Sequence, residues 1–160
     1  MNQLYSSFVD TPIGIVNVEA SDQAIHAIRF VDKPNHSSPS NDMSEKAKGQ
    51  LIEYFNGERQ QFELPLECSG SDFQQQVWQK LENIPFGETK SYQDIAKTLS
   101  NPKAYRAVGS ANGKNRIAIV IPCHRVIASN GKLAGYAYGE DKKAWLLSHE
   151  AKFSEMNFSS

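Results

Sequence analysis

The chain has 160 residues, is 39% apolar and 10% aromatic, and carries a net charge of −1, which suits one domain or two small ones. No apolar run approaches the ~20 residues of a membrane span, and the N-terminal MNQLYSSFVD has no basic-then-apolar leader, so a soluble, cytoplasmic protein is expected. Residues 1–68 hold 5 Lys+Arg against 10 Asp+Glu, whereas residues 69–160 hold 12 against 8, and the basic bias of the second part is compatible with phosphate contacts.

In chain order, Tyr5–Val9, Ile15–Glu19 and Ala24–Phe30 alternate with turn-forming runs at Asp10–Gly14 and Ser21–Gln23. They predict a small antiparallel sheet. The stretch from Asp32 to Asp42 is rich in Pro, Ser and Asn and reads as a loop. Ser44–Asn56 places Ala47, Leu51 and Phe55 four residues apart and meets Gly57, the pattern of an amphipathic helix with a stop. Phe62–Leu66 is a candidate returning strand. No catalytic constellation stands out in this part. The boundary is placed after Cys68, giving parts 1–68 and 69–160.

The second part reads as helical. Ser71–Asn83 opens on a Ser71/Asp72 cap and carries Phe73, Val77 and Leu81 on one stripe. Ile84–Gly87 turns the chain. Ser91 and Asp94 have capping-box spacing, with Ile95, Ala96 and Leu99 on the inner face. Ser100-Asn101-Pro102 is a short turn, and Lys103–Asn112 forms the next helix. Helix, short turn, helix is the helix-turn-helix arrangement, and also that of an ordinary helical hairpin. Ala104, Ala107, Gly109, Ser110 and Ala111 are small, with Arg106 among them. Small side chains let a backbone approach a narrow surface such as a DNA minor groove, or pack tightly in a core. Gly109 costs about 1 kcal/mol of helix stability relative to Ala, so it calls for a reason.

The most telling run is Ile121-Pro122-Cys123-His124-Arg125-Val126. Apolar residues Ile117–Ile121 predict a strand that delivers the thiol beside two potentially cationic side chains, which favour a thiolate nucleophile. An isolated cysteine is commonly a buried structural residue, but Pro before it and His-Arg after it point to a reactive thiol. The chain has only two cysteines, too few for a disulfide framework. No Cys/His cluster has zinc spacing, so no metal is expected. His26, His36, His124 and His149 are scattered, and a lone His is more often an ordinary surface or core residue.

IPCHRV, a following Gly-Tyr and the closing KAWLLSHE resemble the O6-alkylguanine-DNA alkyltransferases, over roughly Ser71 to Ala151. The resemblance implies an α/β protein. Its N-terminal part is a small antiparallel sheet plus helix of ribonuclease H-like type, and its C-terminal domain is helical, of winged-helix, helix-turn-helix type. It implies single-turnover transfer of an alkyl group from O6-alkylguanine, and from O4-alkylthymine, onto Cys123, with no cofactor. The partner is double-stranded DNA bound through its minor groove by a monomer, without any membrane.

By the same resemblance, His124 deprotonates Cys123 through a water, and Glu150, at the end of the last helix, orients His124. Tyr92 donates a proton toward the guanine. Arg106 fills the stack when the target base is flipped out, on a helix whose Ala104, Tyr105, Ala107, Gly109, Ser110 and Ala111 face DNA. Asn115 ties that helix to the active-site strand. Pro122, Arg125, Tyr136, Ala137 and Tyr138 belong to the substrate pocket. Tyr138 stands where relatives carry Gly, Glu140 where they carry a small apolar residue, and Tyr105 where Ala is expected. Two other functions fit parts of the pattern: a lesion sensor without chemistry, which would lack the cysteine, and a Cys-His hydrolase, for which no oxyanion-hole motif is visible.

Overall fold

The computed structural model describes residues 3–35, 37–133 and 135–156; His36 lies outside them. The chain divides into two compact units, one of Met1–Cys68 with Arg116–Val120, the other of Ser69–Asn115 with Ile121–Ser160.

In the first unit, β1 (Tyr5–Thr11), β2 (Gly14–Ala20) and β3 (Ile25–Val31) form an antiparallel sheet in the order β1-β2-β3. The first hairpin is tighter than the sequence suggests: β1 and β2 run to Thr11 and Gly14, which pair across Pro12-Ile13. Gly14 holds a φ of +131°, which its missing Cβ permits. Val16, Val18, Ile25 and Ile28 are fully buried, each stabilising the fold by about 1.5–3 kcal/mol relative to exposure.

Helix α1 (Asp42–Phe55) packs on this sheet. Asn41 caps it, accepting from the Ser44 N–H while the Asn41 N–H donates to the Ser44 hydroxyl. Its buried stripe is Ala47, Leu51 and Tyr54, not Phe55. Three-residue spacing brings Tyr54 onto the inner face, where its ring packs against Phe62 at 5.6 Å. The strand expected at Phe62–Leu66 is absent. Only Leu66 forms an isolated bridge, to Ile25, because Gln50 takes the backbone of Glu63 through both its amide groups.

In the second unit, α2 (Asp72–Glu82) is capped by Ser71 and buries Val77, Trp78 and Leu81, leaving Phe73 half-buried. The Trp78 indole N–H donates to the Ala111 carbonyl at 2.9 Å, which accounts for the place of this large side chain in the core. A two-residue strand, β4 (Lys90–Ser91), leads into α3 (Tyr92–Thr98), whose capping box joins Ser91 and Asp94. Ile95 and Ala96 are buried, and Leu99 is half-buried at the cap.

A 3-10 turn at Pro102–Ala104 precedes α4 (Tyr105–Gly113), so Ala104 belongs to the turn and not to the helix. A second 3-10 turn, Cys123–Arg125, runs into β5 (Val126–Ile127), which pairs with β4 in parallel. Helix α5 (Glu140–Met156) closes the unit. Its buried stripe is Lys143, Leu146 and Glu150. Two of these three are charged, which hides the inner face from a reading of apolar periodicity.

The strand expected over Ile117–Ile121 is a turn. Ile117 bridges to Ile28. The Val120 N–H then bonds back to the Ala118 carbonyl at 2.8 Å, across Ile119 at φ +73°. A β-branched residue in that region carries strain of about 1–3 kcal/mol. Among the described residues, no helix is long and apolar enough to cross a membrane.

Candidate active site around Cys123

The nucleophile candidate is fixed by backbone before any side chain acts. Pro122, at φ −81° and ψ 65°, makes an inverse γ-turn, closed by the Cys123 N–H on the Ile121 carbonyl at 2.8 Å. The Arg125 N–H then bonds the Pro122 carbonyl at 2.9 Å. Two amides from the C-terminal end of α4 hold the carbonyls on either side of Pro122. Asn115 Nδ2 donates to Ile121 at 2.8 Å and Asn112 Nδ2 donates to Cys123 at 3.3 Å. The resemblance implies that Asn115 ties the helical pair to the active-site strand; its amide instead meets a turn at Ile121. Asn112 was not singled out, since an Asn near a helix end reads as a cap.

Cys123 is 5% exposed. Burial pushes its thiol above the ordinary value, against a hydrogen bond from Asn115 and the positive charge of Lys143, which pull it down. The cationic neighbours expected to favour a thiolate are directed elsewhere. His124 Nε2 and Arg125 both face Glu150: His124 Nε2 lies 2.6 Å from Oε2, Arg125 Nε donates to Oε1 at 2.7 Å, and Arg125 Nη2 donates to Oε2 at 3.0 Å. Arg125 Nη1 donates to the Ile84 carbonyl at 2.7 Å. Arg125 is therefore a clamp on Glu150.

Glu150 lies in the middle of α5, which continues to Met156, and not at a helix end. Burial opposes its ionisation. The positive charge that His124 can carry, hydrogen bonds from His124 and Arg125, and the charge of Arg125 outweigh that and hold the carboxyl well below the usual carboxylate range. A carboxylate only accepts, so the His124 proton sits on Nε2. His124 is fully buried, and burial lowers its pKa despite Glu150. The result is a neutral imidazole whose Nδ1 has no hydrogen-bond partner among the described residues. That atom is free to accept a proton.

Tyr92 opens α3 directly after β4, and β4 pairs with the Val126-Ile127 strand that follows the Cys123–Arg125 turn. Burial, and then the negative charge that Cys123 can carry, raise the Tyr92 pKa, so its hydroxyl stays protonated. Two glycines border it. A Cβ on Gly135 would stand 2.7 Å from the Tyr92 hydroxyl, and one on Gly109 would sit 3.8 Å from its ring. The first would require the Tyr92 hydroxyl to move, and Gly135 also holds a φ of +94°; the second is ordinary contact, so packing within the unit does not account for glycine at 109.

Tyr136 is buried and lies edge-to-face with half-buried Tyr138, at 5.7 Å and 69°. Burial and the charge of Cys123 raise the Tyr136 pKa strongly. Ala137 and Glu140 are exposed, the latter in the first turn of α5. On α4, Tyr105, Arg106, Ala107 and Ser110 are exposed, Gly109 is half-buried and Ala111 is buried.

Lys143 escaped the sequence reading. It is fully buried, its Nζ donates to the Val126 carbonyl at 2.5 Å, and it stands 6.0 Å from the Tyr92 ring centroid. A lysine in the first turn of a helix resembles a surface residue, and only its place in the KAWLLSHE run hinted otherwise. Among the described residues no group of three or more His, Cys, Asp or Glu could hold a metal ion.

Comparison with known proteins places the chain in a family. Residues 72–152 match the family described as 6-O-methylguanine DNA methyltransferase, DNA binding domain, and residues 4–68 match its ribonuclease-like domain. A methylated-DNA–protein-cysteine methyltransferase of Methanosarcina acetivorans is 41% identical over 153 residues, covering 92% of this chain and 98% of its own. The crystal structure of the Mycobacterium tuberculosis O6-methylguanine methyltransferase superposes with a TM-score of 0.86 at 40% identity, covering 94% of each chain. The structure of the M. tuberculosis protein in complex with DNA gives 0.86 and 40%, covering 93% of this chain and 94% of that one.

Proposed function

The chain belongs to the 6-O-methylguanine DNA methyltransferase family, and from that premise we propose that Cys123 is the alkyl acceptor and His124 the base that activates it. The reaction is direct-reversal repair: the alkyl group of O6-alkylguanine in DNA passes to the protein. The observation that carries the assignment of residues is the buried His124–Glu150 pair, 2.6 Å apart and clamped by Arg125.

In the resting protein the thiol is neutral, since burial raises its pKa. His124 Nδ1 takes the thiol proton through a water, while the ionised Glu150 stabilises the imidazolium that forms. The Cys123 sulfur attacks the alkyl carbon, a carbon–sulfur bond forms and the bond from that carbon to O6 breaks. The departing guanine carries the electron pair and takes a proton from Tyr92, whose hydroxyl is held protonated by burial. The thioether is not hydrolysed, so each protein molecule acts once and no cofactor is consumed.

The target base reaches Cys123 by leaving the double helix, because its O6 atom is not accessible to a buried thiol within the stack. Arg106 occupies the vacated place, and the exposed small side chains Ala107 and Ser110 let α4 approach the minor groove. Tyr136 lines the base pocket. O4-alkylthymine, of similar shape at the alkylated edge, is a second substrate.

Intact-protein mass after exposure to duplex DNA bearing O6-methylguanine tests the assignment. One hydrogen should be replaced by one methyl group, and peptide mapping should place it on Cys123. A methyl group on Cys68, or an unmodified Cys123→Ala protein that still clears the lesion, would refute it.

A further inference from the structure

Among the described residues, the large apolar side chains left exposed are Leu4, Ile52 and Tyr105. Leu4 and Ile52 belong to the first unit. Tyr105 is 39% exposed and is the first residue of α4, directly before Arg106. The Arg106 guanidinium lies 5.9 Å from the Tyr105 ring centroid, so cation and aromatic plane form one projecting pair. The remaining exposed residues of the helix, Ala107, Ser110 and Gly113, are small.

Folding gives little reason for a tyrosine here. Its ring is not part of the buried core, and Tyr is a poorer helix former than Ala. Position along the helix supplies another reason. Residues four apart share a face, so Tyr105 and Gly109 lie on one flank of α4. Gly109 is the residue that the Tyr92 ring approaches. The flank that begins with Tyr105 therefore leads toward Tyr92 and the site of chemistry, and Arg106 projects from the centre of the exposed face.

We propose that Tyr105 is the second half of a two-residue wedge: its ring stacks on an unstacked base bordering the gap that Arg106 fills, and so holds the extruded nucleotide on the Tyr92 side. The proposal rests on the reading of Arg106 as the residue that replaces the flipped base. An aromatic side chain suits this role because every base offers a π-face and the ring has only two torsions to immobilise. Stacking of this kind is indifferent to sequence, which fits a lesion searched for in any context. Arg106 and the ring already lie side by side, so little ordering remains to be done on binding.

The test uses single-turnover repair of O6-methylguanine in duplex DNA and reaction with O6-methylguanine as the free base, compared between the unsubstituted protein, Tyr105→Ala and Tyr105→Phe. Tyr105→Ala should slow duplex repair about tenfold, toward the lower end of what base–aromatic stacking contributes, and leave the free-base reaction unchanged. Tyr105→Phe should retain the duplex rate. A second readout is 2-aminopurine placed beside the lesion, with Cys123→Ala as an inert background. Its fluorescence rise on binding should shrink when Tyr105→Ala is added.

An unchanged duplex rate, or equal losses on duplex and free base, overturns the wedge. A Tyr105→Phe protein as slow as Tyr105→Ala also overturns it, since a hydroxyl contact would then be the cause. Failure of the unsubstituted protein to alkylate Cys123 on the duplex substrate would instead sink the underlying family chemistry, and the wedge with it.

Discussion

Arg125 holds Glu150 by both carboxylate oxygens, at 2.7 Å to Oε1 and 3.0 Å to Oε2, and the second of these oxygens is the one that meets His124. The fork fixes the plane of the carboxylate, and the carboxylate fixes the ring. Removing Arg125 leaves a fully buried negative charge without its permanent partner. Arg125→Ala should destabilise the protein by about 3–5 kcal/mol. Arg125→Lys keeps the charge but cannot fork, so it should recover part of the stability while still slowing alkyl transfer. Thermal unfolding and single-turnover rates on the two variants check this. A lysine variant with full activity would show that orientation by the fork is not needed.

A pH dependence of stability follows from the same pair. The folded-state pKa of His124 lies below its ordinary 6.5, chiefly through burial. As pH falls through that value the unfolded imidazole gains a proton and the folded one does not, so stability is full above it and declines below it. Glu150 is depressed below 4.5, so its contribution is present above that value and is lost only in stronger acid. Unfolding midpoints measured from pH 6.5 down to 4.5 should fall in the unsubstituted protein and stay flatter in His124→Asn. A parallel fall in the variant would assign the acid sensitivity to other groups.

Much of this site is local in sequence, and that part could be read without coordinates. Pro122, Cys123, His124 and Arg125 are consecutive, and the caps at Ser71 and Ser91 lie three residues from their partners. What could not be read depends on contacts distant in sequence. Arg125 looks like a cation beside the thiol until Glu150, 25 residues on, is seen to take its guanidinium. Lys143 looks like a solvated lysine until the Val126 carbonyl is found at its tip. Ile117–Ile121 is as apolar as a strand, and it is buried like one. Apolar periodicity reports burial and not backbone direction, so the left-handed turn at Ile119 was invisible. Phe62–Leu66 failed as a strand for a related reason, since the side chain of Gln50 occupies the Glu63 backbone.

Lys143 should set the ease with which the thiol ionises. Its positive charge pulls the Cys123 pKa down, against burial. Lys143→Met keeps a similar stem and removes the charge, so the pH profile of Cys123 alkylation by a small reagent such as iodoacetamide should move to higher pH. Cys68 must be substituted first so that one thiol is counted. Burial lowers the pKa of Lys143 itself, which marks its charge as costly to the fold. Lys143→Met removes both that cost and the hydrogen bond to the Val126 carbonyl, and should be slower in repair. A profile that does not move would show that the charge does not reach the thiol.

Gly109 offers a separation of folding from DNA contact. A Cβ there meets the Tyr92 ring at 3.8 Å, an ordinary distance. Gly109→Ala should therefore raise helix stability by about 1 kcal/mol. If α4 lies close against the minor groove, the same methyl group should weaken duplex binding while sparing reaction with a free base. A variant that is both more stable and fully competent on duplex DNA would remove Gly109 from the groove-facing surface.

Tyr138 tests the width of the pocket. The ring, at a position where the family resemblance implies Gly, is half-buried and edge-to-face against buried Tyr136 at 5.7 Å. If Tyr136 walls the base pocket, as proposed, the Tyr138 ring backs that wall. A methyl adduct needs little room there, but a benzyl adduct must displace or share the place of a phenol. The protein should therefore repair methyl adducts readily and react poorly with large free-base adducts. Tyr138→Gly should improve reaction with O6-benzylguanine while changing methyl transfer little. The lost ring pair, worth about 0.5–1.5 kcal/mol, should appear only as a small drop in the unfolding midpoint. The opposite sign is informative too. If Tyr138 stacks on the adduct, Tyr138→Gly would weaken reaction with the benzylated base, and the ring would be a binding surface in place of an obstruction.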